Sequence, residues 1–226
     1  MERRQFTAGL MGLGLTGASG SSKAALAEGD AAAGVRAAIE RGAEAAVSLL
    51  GRPDGFLGNP MVRIPLPGVL ADAAKLLKMA GQQKKVDELV IAMNRAAEAA
   101  VPKAKTLLVQ AAKSMSVEDA LKIVRGSDVA VTDFFVGKTR APLTEQFLPI
   151  VARATERVAL AQKFNAVAGK AAKMGLMKSK DADIDQYVTS KALDGLYLMI
   201  AEEERKIRKD PIGTGSAILK KVFGRL

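Results

Sequence analysis

Carboxylates, lysines, tyrosines and hydroxyls are the side chains with which this chain could do acid–base or nucleophilic chemistry, because it contains no His and no Cys. Histidine is the commonest general base and metal ligand, and cysteine supplies thiol nucleophiles and metal thiolates. The clustered acids are Glu202, Glu203 and Glu204, with Asp194 on the same segment. Consecutive acids on one helix spread around its circumference, whereas carboxylate catalysis needs two acids converging on one substrate. We therefore predict a solvated acidic face, no cofactor and no catalytic residues.

A run of aspartates, Asp181, Asp183 and Asp185, imitates the opening of a calcium-binding EF-hand loop. That loop requires Gly at its sixth position and Glu at its twelfth. This sequence has Gln186 and Ala192 there. Capping of a helix by Asp183 is the better interpretation, and no metal site is predicted.

The least ordinary segment is residues 52–68, which holds four of the eight prolines and three glycines. No regular helix can pass through such a segment. Apolar loops of this length are uncommon, so it either packs across the helices as an ordered clamp or lines a site. Its large apolar residues are Phe56, Leu57, Met61, Val62, Ile64 and Leu66.

Arg63 stands between Val62 and Ile64, so this loop could present a guanidinium to a lipid headgroup or a carboxylate at the mouth of an apolar cavity. The alternative is a structural loop whose Arg63 pairs with an acid of the last long helix. A second polar group, Asn94 and Arg95 with Glu98, is either part of such a site or a surface pair on one helix. The candidate ligand-binding residues are Phe56, Leu57, Asn59, Met61, Arg63, Ile64, Leu66, Asn94 and Arg95.

Helices must position these residues, because apolar side chains recur at helical spacing along most of the chain. We predict an all-α fold: an irregular bundle of about eight to ten helices with one long Pro/Gly-rich apolar loop. The only strand considered is 61–64. The predicted helices cover 30–50, 69–80, 84–101, a segment starting at Pro102, a segment capped by Ser116 and ended by Gly126, a segment capped by Ser127 and Asp128 and running through 135, 142–172 with a kink or split at Pro149, 184–209 and 216–223.

The first residues predict export. Arg3 and Arg4 with Phe6 resemble a twin-arginine signal, residues 7–20 are weakly apolar and Gly-rich, and residues 25–27 offer a small-x-small cleavage pattern. We expect a signal peptide, residues 1–27, cleaved after Ala27. A single helical domain, residues 28–226, would then function in the periplasm.

Several stretches together resemble one bacterial family, the exported domain-of-unknown-function family 4197. The resemblance covers roughly residues 31–226. It implies an all-helical exported domain and brings no established activity and no catalytic residues. The stretches are 53–57, 59–60, 62–67, 94–98, 100–102, 191–196, 199–204 and 219–224.

The formal net charge of +10 suits attraction to anionic lipid headgroups or nucleic acid, although it is equally the property of a solvated basic surface. Few aromatic residues and no DNA-binding motif argue against nucleic acid. Residues 218–225 form a short basic amphipathic pattern that could lie on an anionic membrane or dock onto the core. We expect a non-enzymatic binder of a lipid or other apolar ligand. The alternatives are an envelope protein–protein interaction or scaffold module and, least favoured, a carboxylate-dependent enzyme.

Overall fold

The computed structural model describes residues 19–173 and 183–210, and within them the chain is helical with no strand. The all-α prediction is confirmed, and residues 61–64 belong to the long loop rather than to a strand. No helix in this described part is long and apolar enough to cross a bilayer. The helices are α1 (Ser19–Leu50), α2 (Gly68–Met79), α3 (Gln83–Ala100), a 3-10 turn (Val101–Lys103), α4 (Ala104–Lys113), α5 (Val117–Arg125), α6 (Ala130–Thr155), α7 (Ala159–Lys173) and α8 (Ile184–Lys209).

The predicted number of helices remains a prediction. The helix expected over 216–223 lies outside the described residues, as do Asp181 and the twin-arginine motif. Helix α1 is already present at Ser19, the first described residue, and thus before the predicted start at residue 30, so the proposed cleavage point after Ala27 falls within α1. Cleavage there would leave the mature chain starting inside this helix.

The centre of the bundle is the pair α6 and α8, which pack along each other. Helix α3 packs on α6, and α1 packs on α4 and α8. Helix α2 is peripheral and packs chiefly against α3. The interior is built from side chains of every part of this bundle and of the long loop. Its largest fully buried side chains include Phe56, Phe135, Phe147, Leu89, Met93 and Leu196.

Side-chain caps begin two helices as the sequence predicts. At α5, Ser116 Oγ accepts from the Asp119 N–H at 3.0 Å and Asp119 Oδ2 accepts from the Ser116 N–H at 3.1 Å. The hydrogen bond from Ser116 lowers the pKa of Asp119. At α8, Asp183 Oδ1 accepts from the N–H groups of Asp185 (2.7 Å) and Gln186 (3.2 Å), which confirms capping at this aspartate.

Helix α6 differs from the prediction, which ended one helix at residue 135 and began another at Pro142. A single helix runs from Ala130 to Thr155 through Pro142 and Pro149. Each proline removes one backbone hydrogen bond, to the carbonyl four residues earlier. Those carbonyls belong to Lys138 and Glu145, which are exposed, so water can replace the lost bonds. The separate helix α7 begins only after Val158, which turns into the core.

The start of α6 is also capped differently. Neither Ser127 nor Asp128 caps it. Instead the carboxylate of Glu204 on α8 accepts from the N–H groups of Val131 (3.0 Å) and Thr132 (3.2 Å). The expected solvated acidic face is therefore wrong for Glu204, which is 4% exposed.

Candidate functional site

Asn94 on α3 fixes one end of the long loop. Its side chain is fully buried, and its Oδ1 accepts from the Ile64 N–H at 2.8 Å. Its Nδ2 donates to the carbonyls of Ile64 (3.0 Å) and Val90 (2.8 Å). The amide therefore binds the Ile64 backbone as a neighbouring strand would, which satisfies buried loop groups that no helix could pair.

Glu98, one turn further along α3, fixes the other end. Its Oε1 accepts from the N–H groups of Phe56 (3.0 Å) and Leu57 (3.1 Å). Its Oε2 accepts from Arg95 at 2.7 Å, and Arg95 also donates to Asp54 Oδ1 at 2.8 Å. The hydrogen bond to Glu98 is the main cause that raises the pKa of Arg95. The Arg95–Glu98 pair expected from the spacing is present, but Glu98 is buried and binds the loop rather than lying on the surface.

The apolar side chains of the loop turn inward and join the core. Phe56 and Ile64 are essentially inaccessible, and Val62 is 6% exposed. They lie against α8 at Gly195, where an added Cβ would stand 2.8 Å from Phe56 Cε1 and 3.2 Å from Val62 Cβ. Glycine is required there because any side chain would displace the loop. The ordered-clamp interpretation of this loop is thus the one that its contacts support.

We call the loop of residues 52–68, held in this way, the clamp. Its outer side forms one wall of an open groove of about 730 Å³, and α2 and α3 form the other walls. Its lining is mainly apolar: Leu57, Pro65, Leu66, Ala71, Ala74, Val86, Val90 and Ile91.

Three cations, Arg63, Lys75 and Lys78, line the same groove. Among the described residues that line it Asp87 is the one acid, and both its oxygens accept from Gln83. Lys75 pairs with Asp72 on the exposed side of α2. The groove therefore combines an apolar floor with an excess of positive charge.

Arg63 does not pair with an acid of the last long helix. Within residues 19–173 and 183–210, neither it nor Lys78 has an ion-pair partner. One acid of that helix, Asp194, lines the same surface depression of about 230 Å³ as Arg63 and Met61. Asp194 is instead bound to Arg140 at 2.6 Å and to Lys191 at 3.7 Å.

The nine candidate residues separate into three groups. Phe56, Ile64 and Asn94 are buried in the clamp, and Arg95 closes it from outside. Asn59 stabilises a turn by accepting from the Met61 N–H at 3.1 Å, and Met61 is half exposed beside the depression near Asp194. The remaining three line the groove: Leu57, Arg63 and Leu66.

Sequence reasoning missed the groove residues of α2 and α3. The spacing i, i+3, i+4, i+7 places Ala71, Ala74, Lys75 and Lys78 on one face of α2, and this spacing could have marked that face. What no local pattern indicates is that α2 packs beside the clamp, because that placement depends on long-range contacts.

The acids elsewhere diverge rather than converge. Glu202 pairs with Arg205, Glu203 pairs with Lys206 at 2.7 Å, and Glu204 points inward to Arg208 at 2.9 Å. In the part of the chain that the structure describes, no group of three or more acids is placed to hold a metal ion.

The model of a family described as "Protein of unknown function (DUF4197)" matches residues 25–224. No curated protein and no solved structure matches the chain significantly.

Proposed function

The chain belongs to the DUF4197 family, and we propose that it is a non-enzymatic binder of an anionic amphiphile, such as a lipid, held in the groove between α2, α3 and the loop. The observation that carries this proposal is the composition of the groove: an apolar floor with Arg63 and Lys78 at its side, neither of which has an ion-pair partner among the described residues. Its volume of about 730 Å³ is within the range of small-molecule sites, about 300–1,000 Å³.

The binding mode follows from these walls. An alkyl chain lies along Val86, Val90 and Leu66, where it removes apolar surface from water. An anionic headgroup lies beside Arg63 and Lys78. A guanidinium donates two parallel hydrogen bonds to a phosphate or carboxylate, whereas an ammonium contributes a point charge.

A stable groove needs a rigid wall, and the clamp supplies it. The loop is held at both ends by buried side chains of α3, Asn94 and Glu98, and its own apolar side chains are part of the core. We assign these residues to the support of the site rather than to ligand contact. This assignment revises the sequence-based set, in which all nine residues were candidates for contact.

Export to the periplasm is part of the same proposal, because an envelope location gives access to lipids. It rests on the twin-arginine pattern and the cleavage pattern before residue 28. Sequencing the N-terminus of the protein from a periplasmic extract should give Glu28 as the first residue. A chain found intact in the cytoplasm would contradict it.

The binding test is isothermal titration calorimetry with dodecyl phosphate below its micellar concentration. We expect saturable one-to-one binding, and weaker binding of dodecyltrimethylammonium, which has the same chain and the opposite charge. Arg63→Glu/Lys78→Glu should weaken dodecyl phosphate binding at least tenfold, because two cations become repelling anions. Lys103→Glu, an exposed change outside the groove, is the charge control.

A second variant tests the apolar floor. Ala71→Trp fills the groove and should abolish binding, whereas Ala99→Trp, on an exposed position of α3 outside the groove, should leave it unchanged. Thermal unfolding of each variant checks that it is folded. Equal affinity of the protein for the two amphiphiles, or full binding by folded Ala71→Trp, would overturn the proposal.

A further inference from the structure

Helix α2 has a second apolar stripe that faces away from the protein. Leu76 is 70% exposed and Met79 is 86% exposed, one turn apart on the same face, and Ala73 and Ala80 beside them are exposed as well. The opposite stripe, with Leu70 and Ala74, is buried. A helix that is apolar on both faces is ordinarily covered on both. Something outside this chain's described part is therefore expected to cover Leu76 and Met79.

The turn beside this stripe is cationic, and it is flanked by Asp72, which pairs with Lys75, and by Asp87 and Glu88. Residues 73–86, which run through the turn between α2 and α3, contain four lysines and no acid. The lysines, Lys75, Lys78, Lys84 and Lys85, are all exposed. At the turn itself Gly81 has a φ of +75°, which lets α3 fold back sharply so that the end of α2 and the start of α3 share one tip. We call residues 75–85, all of which are exposed except the half-buried Leu77 and Gln82, the α2–α3 tip.

We propose that the α2–α3 tip docks on the surface of an anionic lipid bilayer, with Leu76 and Met79 entering the interface and the lysines lying among the headgroups. Lysine combined with leucine on a short amphipathic segment is the composition of interfacial membrane helices. Protein–protein interfaces, in contrast, are depleted in lysine. The charge complementarity and the unpartnered apolar stripe point to the same occupant.

This inference deepens the proposed function but stands on different residues. Lys75 and Lys78 belong to both surfaces, and the groove opens beside the tip, so a docked tip places the groove next to its lipid source. Docking needs no occupied groove, since Leu76 and Met79 do not line it. The two proposals can therefore fail separately.

The absence of Trp from the chain provides a direct test. Met79→Trp places a single tryptophan at the tip, on a side chain so exposed that the fold does not depend on it. We expect its fluorescence to shift to shorter wavelength with vesicles of equimolar phosphatidylglycerol and phosphatidylcholine, and not with phosphatidylcholine alone. Val117→Trp, on the 38% exposed first residue of α5, is the control reporter and should not shift.

Co-sedimentation with the same anionic vesicles measures the affinity. Lys78→Gln/Lys85→Gln should weaken it about 30-fold, because each lysine near an anionic surface contributes roughly a factor of five. Leu76→Ser/Met79→Ser should weaken it by at least about tenfold through lost apolar burial. Lys103→Gln/Lys138→Gln, two exposed lysines elsewhere, is the control pair.

The groove-filled variant, Ala71→Trp, distinguishes the groove proposal from the tip proposal. Ala71→Trp that still sediments with vesicles but no longer binds dodecyl phosphate supports both proposals. The tip proposal alone is overturned if the wild-type protein binds dodecyl phosphate, Met79→Trp shows no fluorescence shift with anionic vesicles, and the tip variants sediment like wild type. A Met79→Trp shift produced by a purified protein partner, with none from anionic vesicles, would also overturn it and assign the tip to a protein interface.

Discussion

Asn94 and Glu98 are polar side chains that the chain buries in order to hold a loop. Each satisfies backbone groups of residues about thirty to forty positions away, and together they replace the hydrogen bonds that Pro60 and Pro65 and their neighbours cannot obtain from a helix. Leaving such groups unpaired would cost about 1–3 kcal/mol each. The clamp is therefore a stabilising feature first, and the groove is a consequence of its outer side.

Gly195 gives the sharpest test of the clamp. Gly195→Ala should lower the free energy of unfolding, because its Cβ meets the buried Phe56 ring at 2.8 Å. Overpacking of this kind costs about 1–3 kcal/mol, and the better helix propensity of Ala, about 1 kcal/mol, offsets only part of it. Urea unfolding measures the change.

The control for Gly195 is Gly137 in the middle of α6, where nothing lies within 4 Å of an added Cβ. Gly137→Ala should raise the free energy of unfolding by about 0.5–1 kcal/mol from propensity alone. Stabilisation by Gly195→Ala equal to that of Gly137→Ala would mean that the loop is not seated on α8 as described.

Tyr197 makes stability depend on pH at the alkaline end. Burial is the main cause that raises its pKa above the ordinary value of 10.0, and its hydroxyl lies 2.9 Å from Thr139 Oγ1. In the unfolded chain Tyr loses its proton near pH 10, before the folded protein does. The unfolded state therefore binds fewer protons above that pH, and stability falls as pH rises from about 10 towards the folded pKa.

Tyr197→Phe should remove the part of the alkaline loss of folding stability that ionisation of Tyr197 causes. Urea unfolding of both proteins from pH 8 to 11 should show a shallower decline for Tyr197→Phe above about pH 10, while deprotonation of lysines affects both proteins equally. Parallel declines would contradict the burial of this hydroxyl.

At the scale of residues, the sequence could predict the side-chain caps of α5 and α8, although the cap predicted for α6 at Ser127 and Asp128 is wrong. Ser116, Asp119 and Asp183 act on N–H groups within three residues, so their spacing is sufficient information. The partners of Asn94 and Glu98 could not be predicted in the same way. An amide and a carboxylate one turn apart on a helix are typical of a surface pair. Their actual partners lie in a loop distant in sequence, so local spacing does not predict them.

Between the elements, Glu204 and Arg208 of α8 join two other helices. The Glu204 carboxylate accepts from the first N–H groups of α6, and the Arg208 guanidinium donates to the Ile123 carbonyl at 2.9 Å near the end of α5. The negative group thus lies at a helix N-terminus and the positive group at a helix C-terminus, as the helix dipoles favour. This pair takes over the role that Ser127 and Asp128 were predicted to fill.

Removing Glu204 should therefore be costly. Glu204→Ala removes the acceptor of two N–H groups of α6 and one ion-pair partner of the largely buried Arg208, and breaking a buried pair costs about 3–5 kcal/mol. Glu203→Ala breaks a pair with the exposed Lys206 on the same helix and should cost less than about 1 kcal/mol. Hydrogen exchange should also accelerate at Val131 and Thr132 in Glu204→Ala alone. Equal stability losses in the two variants would contradict the cap.

At the scale of the helices, periodicity predicted most boundaries to within a few residues, including α8 from Ile184 to Lys209. The exceptions are the start of α1, which lies before residue 30, and α6 with α7, for which the sequence predicts a helix start at Pro142 and a kink or split at Pro149. Proline lacks one hydrogen bond but does not prevent a helix whose packing on α3 and α8 outweighs that loss. The packing of one helix on another is not a local property, so the sequence gives no sign of it here.

The part of the molecule that the structure describes combines a packed core with surface features that the core does not explain. A cavity of about 20 Å³ between α1, α5, α6 and α8 is comparable with the space of a single water, so it offers no room for a lipid. Space for an amphiphile lies instead on the outside, in the open groove, and beside it lies the exposed and lysine-rich α2–α3 tip. The sequence predicts an apolar cavity beside the Pro-rich loop with Arg63 at its mouth, and the open groove beside that loop takes its place in the proposal.

The most direct test of the groove proposal is native mass spectrometry of the protein purified from the periplasm of its own cells, followed by lipid extraction. We predict a one-to-one adduct of an anionic lipid, retained by Ala99→Trp and lost in folded Ala71→Trp and Arg63→Glu/Lys78→Glu. A bare protein mass under gentle ionisation, or an adduct that survives in both groove variants, would contradict the account.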